Sequence, residues 1–235
     1  MIIIPARLKS TRFPQKILQN IAGIPMVVRV ANIAKEIDNV VVACEDNEVI
    51  RVCKNHNIEA ILTNNSHISG TDRIAECARI LQLKDDELII NLQGDEPFLE
   101  QEVVLSLKQT MLNNKDSFMG SCMKEISQKE AENPNLVKVV VNKNNEALYF
   151  SRAKIPYNRD NENITYYGHL GIYAFSCKSL QEFCNLPKSS MENIEKLEQL
   201  RALDNNKKII MTKVTSRSFG IDTKEDLELA IKIFI

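Results

Sequence analysis

Met1-Ile2-Ile3-Ile4-Pro5-Ala6-Arg7-Leu8-Lys9-Ser10-Thr11-Arg12-Phe13-Pro14-Gln15-Lys16 opens the chain. The run Ile2 to Ile4 is β-branched throughout and reads as a buried strand that stops at Pro5. A polar loop follows, with four cations, Arg7, Lys9, Arg12 and Lys16, and no acid among them. The next helix is expected near Pro25, a residue suited to a first helical turn. A first strand that empties into a basic loop is the setting of a phosphate site in the crevice of an open α/β sheet. The glycines of a Walker or dinucleotide loop are absent, so side-chain cations must supply much of the phosphate neutralisation. A solvated basic loop is the plainer reading. The loop's place after strand one and its two prolines argue against it.

Working outward, short apolar runs recur. Val40 to Cys44, Ile58 to Leu62 and Leu88 to Leu92 read as buried strands. Between them lie helical patterns over Pro25 to Glu36, Asp46 to Asn55 and Thr71 to Leu81, with another over Glu102 to Met111. Strands alternating with helices of this length predict a mostly parallel sheet with right-handed crossovers. The second half changes character. Phe118 to Met123, Leu136 to Val141, Ala147 to Phe150 and His169 to Phe175 are strand-like, with Asn-rich turns between them. They predict an antiparallel element, at about 118–175, inserted in or attached to the main sheet. A helix over Ser176 to Cys184 follows. Ser189 and Glu192 have capping-box spacing ahead of an amphipathic helix with Ile194, Leu197 and Leu200. Ile209 to Val214 is a late strand. Thr223 and Asp226 form a second capping box before the last helix. With no repeat and no linker, one domain over 1–235 is the simplest expectation.

Composition narrows the function. A net charge of −1 over 235 residues gives no general pull toward nucleic acid or a phospholipid surface. The basic loop is local and suits a small anion. No apolar stretch approaches the length of a membrane span, and Met1 leads straight into the first strand, so no signal peptide is expected. The six cysteines form no Cys-x-x-Cys pair; Cys44 and Cys77 read as core thiols, and the cytoplasm is the default location. The histidines lack metal-ligand spacing, which speaks against zinc.

Several segments carry chemistry. Gln93-Gly94-Asp95-Glu96-Pro97 follows a buried strand, so Asp95 is expected in the same crevice as the basic loop, with Gly94 permitting a tight turn. Acids beside a phosphate loop suit a divalent cation between them and the phosphates. Taken alone, Asp95 equally fits a loop or cap carboxylate. Asp222 in Gly220-Ile221-Asp222-Thr223 reads by pattern as a helix-start acid. Ser69-Gly70-Thr71-Asp72-Arg73 opens a helix and can bind a nucleotide edge or phosphate, or merely cap. Glu198 and Gln199 read by pattern as the polar face of a helix. Arg152 follows one strand of the second half, and His169 starts another.

Together these segments resemble the 3-deoxy-manno-octulosonate (KDO) cytidylyltransferases. The matching stretches are Ile4-Pro5-Ala6-Arg7 with Ser10-Thr11-Arg12 and Pro14-x-Lys16; Ser69 to Arg73; Gln93 to Pro97; Asn133-Pro134-Asn135 with Val137 to Val140; Ala147 to Ala153 with Ile155-Pro156; His169 to Tyr173; Leu197 to Arg201; and Gly220 to Thr223 with Glu225-Asp226-Leu227. The opening motif is shared by many nucleotidyltransferases. The ordered combination spans essentially the whole chain and is specific to the KDO-activating family.

The resemblance implies a Rossmann-like α/β nucleotidyltransferase fold, with helices on both faces of the sheet, in a homodimer. The implied reaction joins CTP and KDO to give CMP-KDO and pyrophosphate, requires Mg²⁺, and feeds lipopolysaccharide synthesis. By position, Arg7 and Lys16 face the triphosphate, and Asp95 and Asp222 ligate magnesium. Ser69, Gly70, Thr71 and Arg73 belong to the nucleotide side. Gln93, Arg152, His169, Tyr173, Glu198 and Gln199 line the sugar-acid side. The chain departs from the family in having Gln15 where glycine is frequent, Asp72 for glutamate, and Asn193 for a histidine.

The implied chemistry is in-line attack of the KDO 2-hydroxyl on the α-phosphorus, with cations offsetting charge on the triphosphate. No enzyme nucleophile is needed. Arg152 offers a planar fork for the sugar carboxylate, and His169 is expected to bind and not to act as base. The rivals are a cytidylyltransferase for 8-amino-KDO, a sialic acid or methylerythritol phosphate, and a non-catalytic sugar-nucleotide-binding protein. Retention of Lys16 and Asp95 speaks against the last. Ala147 to Arg152 and His169 to Tyr173 favour KDO.

Overall fold

In a computed structural model describing residues 1–8 and 13–235, the apolar runs become strands and the periodic segments helices. Lys9, Ser10, Thr11 and Arg12, two of the four loop cations among them, lie outside the described residues. The order is β1 (Ile2–Ala6), a 3-10 turn (Lys16–Leu18), β2 (Asn20–Ile21), β3 (Ile24–Pro25), α1 (Met26–Lys35), β4 (Val40–Cys44), α2 (Asn47–Asn55), β5 (Glu59–Leu62), α3 (Gly70–Ile80), β6 (Leu88–Asn91) and α4 (Gln101–Asn113). The second half holds β7 (Met119–Ile126), α5 (Gln128–Ala131), β8 (Lys138–Val141), β9 (Ala147–Ser151), β10 (Tyr166–Ser176), α6 (Cys177–Asn185), α7 (Ser190–Glu195), α8 (Leu200–Asp204), β11 (Ile209–Lys213) and α9 (Lys224–Phe234).

The main sheet runs β11-β7-β10-β6-β1-β4-β5, with the β8–β9 hairpin joined through β10. Strands β6, β1, β4 and β5 are mutually parallel. Strand β10 is antiparallel to both β6 and β7. The antiparallel region is therefore built into the sheet, and His169 lies inside β10 and does not start it.

Alternation along β1 explains the two helical layers. Ile2, Ile4 and Ala6 point into a core with Val27, Val30 and Ala31 of α1 and Val103, Val104 and Leu107 of α4. Ile3 points the other way, onto Ile74, Ala75 and Ala78 of α3 and Leu180 and Phe183 of α6. A buried isoleucine contributes roughly 1.5–3 kcal/mol relative to an exposed one. A third cluster sets Leu227 and Ala230 of α9 against Ile21 and Met26.

Pro5 does not end the first strand, which continues to Ala6 in register with β4. Ile2 donates to Asn39 O on the β4 side, so by alternation the nitrogen of Pro5 faces β6. Pairing with β6 ends at Ile3, so no ladder donor is missed there. Two further features depart from sequence expectation. The small β2–β3 hairpin fills the stretch before α1. The expected helix through Leu200 breaks at Lys196, which caps α7 in the left-handed conformation at φ 55°. Glu198 and Gln199 thus lie between two short helices and not on one polar face.

Candidate active site

The site forms where the carboxyl ends of β1 and β6 meet the start of α9. Lys16, in the 3-10 turn, is 9 % exposed. Its Nζ donates to Asp95 Oδ2 at 2.7 Å and to Asp222 Oδ1 at 2.9 Å. Burial works to lower the Lys16 ammonium pKa, but the charges and hydrogen bonds of Asp95 and Asp222 outweigh it, and the net shift is upward. The Asp222 loop is tied to the Asp95 loop by Ile221 N–H donating to Asp95 O at 2.9 Å. Thr223 caps α9 in a reciprocal box with Asp226, and Asp226 also accepts the Asp222 N–H at 3.0 Å. The pattern reading of Asp222 as a helix-start acid therefore describes its backbone, while its side chain meets Lys16.

Both motif glycines are explained by Pro5. A Cβ on Gly70 would lie 3.2 Å from Pro5 Cγ, and one on Gly94 would lie 3.2 Å from Pro5 O. Gly94 sits in the tight turn expected of it, closed by Glu96 N–H donating to Gln93 O at 3.3 Å, and its lack of a Cβ also serves the close approach to Pro5. The three motifs are packed around one residue of β1.

The remaining nucleotide-side positions divide. Arg7 is exposed, and among the described residues its guanidinium makes one long contact, to Ile68 O at 3.5 Å. Ser69 caps α3 by accepting the Asp72 N–H. Thr71 Oγ1 donates to Glu198 Oε2 at 2.5 Å, which joins the two halves of the chain. Arg73 turns inward. It is 1 % exposed, lies 2.9 Å from Glu45 Oε2 and donates to Thr63 Oγ1 at 2.6 Å.

On the other side, Tyr173 OH donates to Gln199 Oε1 at 3.2 Å. Gln199 is 2 % exposed, and its Nε2 is buried without a hydrogen-bond partner. A buried amide donor in this state is a group a ligand can satisfy. Burial pushes Glu198 above the usual carboxylate range, opposed by the Thr71 hydroxyl, and pushes the Tyr173 phenol upward. Gln93 Nε2 donates to Asn91 Oδ1 at 3.2 Å. The Arg152 fork is already engaged: Nε donates to Glu195 O at 2.7 Å and Nη1 to Pro134 O at 3.2 Å.

His169 is buried, and burial alone lowers its pKa to about 3. Its Nε2 lies 2.8 Å from Ser121 Oγ. That hydroxyl lies closest, at 2.7 Å, to Ile172 O. A hydroxyl has one proton, so if it is given to the carbonyl, the hydroxyl must accept from the imidazole. That places the ring proton on Nε2. Ser121 fills the bulge that interrupts β10 between Leu170 and Tyr173.

Two groups were read in sequence only as members of a motif, with no role of their own. Glu96 is buried beside Asp95, and burial followed by the Asp95 charge pushes its pKa up to about 7. Arg201 forks onto Glu192 at 2.9 and 2.6 Å and so braces the turn carrying Glu198 and Gln199. The capping-box spacing flagged Glu192 as a cap; nothing local signalled its ion pair.

Asp95 and Asp222 present hard oxygen donors, and a cation already bridges them. That donor set fits magnesium, which takes one or two carboxylates and completes its shell with water and phosphate. Among the described residues no group of three or more His, Cys, Asp or Glu could hold a metal by itself. All six cysteines are free thiols, and burial pushes Cys44 up to about 11. Among the described residues no helix is long and apolar enough to cross a membrane.

A family model for cytidylyltransferases matches residues 1–209. The 3-deoxy-manno-octulosonate cytidylyltransferase of Wolinella succinogenes is 58 % identical over 100 % of this chain and 99 % of its own. That of Helicobacter pylori strain HPAG1 is 53 % identical over 100 % and 97 %. A solved CMP:2-keto-3-deoxy-manno-octonic acid synthetase complexed with CTP superimposes with a TM-score of 0.94 at 39 % identity, covering 99 % of this chain and 96 % of its own. The chain belongs to the cytidylyltransferase family and, within it, to the 3-deoxy-manno-octulosonate cytidylyltransferases.

Proposed function

We propose that Asp95 and Asp222 hold magnesium for the reaction of this family, in the crevice that Lys16 shares with them. The reaction is transfer of the cytidylyl group of CTP to the anomeric 2-hydroxyl of KDO. A bond forms between that oxygen and the α-phosphorus, the bond to pyrophosphate breaks, and the hydroxyl proton is lost. The convergence of Lys16, Asp95 and Asp222 carries the proposal. When bound, magnesium supplies Lewis acidity to the phosphate oxygens and lowers the pKa of a hydroxyl bound to it.

The chain's own residues do the rest. Lys16 bridges both carboxylates at 2.7 and 2.9 Å; with a cation held by Asp95 and Asp222, its ammonium would be available to the triphosphate. Arg7 adds a second cation from the same loop. Ser69, Gly70 and Thr71 form the nucleotide side. Gln93, Tyr173, Glu198 and Gln199 form the sugar side, where the unpartnered Gln199 amide donates to a KDO oxygen. Arg152 and His169 complete that side. With the ring proton on Nε2, His169 offers the ligand an acceptor at Nδ1 and is neutral at physiological pH. Arg73 acts from within the scaffold.

The chain works as a single domain, as a homodimer in the cytoplasm, and its product supplies lipopolysaccharide synthesis. Pyrophosphate release from the purified protein should require CTP, KDO and Mg²⁺ together. Comparable turnover of a sialic acid, or preference for 8-amino-KDO, would reassign the sugar substrate.

A further inference from the structure

Glu45 stands one residue past β4, outside every motif that carries the family resemblance. Its Oε1 accepts the Leu8 backbone N–H at 3.0 Å, and its Oε2 lies 2.9 Å from Arg73 Nη2. Arg73 is further held by Thr63 Oγ1 at 2.6 Å and Asn64 O at 3.4 Å. Thr63 fixes itself to Cys44 O through its N–H at 2.7 Å and its hydroxyl at 2.9 Å. Leu8, Glu45 and Thr63 follow β1, β4 and β5, three neighbouring parallel strands. The buried Arg73 guanidinium therefore pairs by charge, without an aligned hydrogen bond, with one carboxylate oxygen of Glu45, and the other oxygen accepts from the first loop.

We propose that Glu45 is a positioning residue for the nucleotide triphosphate. It fixes the backbone at Leu8 and so sets where the side chain of Arg7, one residue earlier, begins its reach. Arg7 needs that anchor because, among the described residues, its own guanidinium has only the 3.5 Å contact to Ile68 O. The charge of Arg73 is spent on Glu45 and not on a ligand, and its place in the nucleotide-side motif follows from this relay. The inference rests on the assignment of the first loop to CTP.

Glu45→Gln separates positioning from mere packing. Facing a guanidinium, the amide must present its oxygen to Arg73, which leaves its NH₂ against the Leu8 N–H, donor to donor. The Arg73 contact survives and the loop anchor is lost. The KM for CTP should rise about tenfold while the KM for KDO changes less than about twofold. Calorimetric titration with CTP in the absence of KDO should show the same weakening. Should E45Q fail to fold, E45L/R73M replaces the buried pair with apolar side chains, a change often neutral for stability, and should fold with the same CTP defect. Arg7→Ala serves as the benchmark. Wild-type CTP affinity in the folded Glu45 variant, or equal losses for both substrates, overturns the positioning role. If R7A weakens CTP and the Glu45 variant does not, only this role falls; if R7A too leaves CTP use unchanged, the assignment of the loop falls with it.

Discussion

Lys16 Nζ donates to Asp95 Oδ2 at 2.7 Å although 79 positions separate the two residues in the chain. The contact puts a cation of the phosphate loop onto a carboxylate proposed to bind metal. In this arrangement the lysine offsets part of the charge of the two acids, and the acids hold the lysine. Under the proposed role of Asp95 and Asp222, a divalent cation held by them would leave the ammonium available to the triphosphate.

Lys16→Met should therefore have two opposite effects. CTP use should weaken far more than KDO use, because the ammonium that turns to the phosphates is gone. Binding of Mg²⁺ alone, followed by calorimetry without nucleotide, should tighten, because the Lys16 ammonium no longer competes for Asp95 and Asp222. A defect confined to the KDO dependence would contradict the partition. Weaker Mg²⁺ binding in K16M would contradict the competition.

Asp95→Asn should keep the fold and lose most turnover, since a neutral amide is a poor ligand for a hard cation. Asp222→Asn should do the same. Both variants should also bind Mn²⁺ more weakly in an electron paramagnetic resonance titration. Near-normal activity of D95N at limiting Mg²⁺ would remove Asp95 from the metal site.

His169 links the site to acid stability. Its folded pKa is lowered to about 3 by burial, against an unfolded value near 6.5. The unfolded chain then takes up a proton that the native state refuses as pH falls below about 6.5. This part of the stability is complete above that pH and is lost downward toward pH 3, by up to about 1.4 kcal/mol per unit. Urea midpoints between pH 7 and 4 should fall less steeply in His169→Asn. The same variant should retain measurable turnover with its acid limb in place. Complete loss of turnover with normal binding of both substrates would instead make His169 the base.

Arg152→Lys keeps the charge and loses the fork. The wild-type fork bonds to Glu195 O and Pro134 O, so the variant should raise the KM for KDO and leave the KM for CTP near its original value. Equal effects on both would reduce Arg152 to a structural brace.

Gln15 occupies the left-handed region at φ 54°, where a side chain is strained and glycine is not. Gln15→Gly should be neutral or stabilising by up to about 1 kcal/mol in urea unfolding, relief of strain being partly offset by the added freedom of the unfolded chain. A loss of stability would show that the Gln15 side chain holds the turn.

The strands and helices of the sheet and its two layers were legible because the unbroken β-branched run Ile2 to Ile4 and the apolar spacing of α1 and α3 are local signals. The capping boxes at Ser189 and Thr223 were legible for the same reason, while a third among the described residues, Ser127 with Glu130 ahead of the short α5, was not read. The β2–β3 hairpin escaped because only one of its two turn residues is a turn former: Gly23 takes φ 87°, but Ala22 at φ 49° does not announce that conformation. Lys196 hid the break before Glu198 in the same way. Asp222 was readable only by family resemblance, since what brings it to Lys16 is a contact across 206 positions. Arg73 was read toward the ligand because the family resemblance places it in the nucleotide-side motif, whereas its partner Glu45 is fixed only by strand order.

The most direct measurement is pyrophosphate release by the purified protein, with each of CTP, KDO and Mg²⁺ omitted in turn and sialic acid substituted for KDO. Turnover only when all three are present, with little or none on sialic acid, is the expected result. Turnover without Mg²⁺, none with KDO, or equal rates on the two sugar acids would contradict a magnesium-dependent KDO cytidylyltransferase.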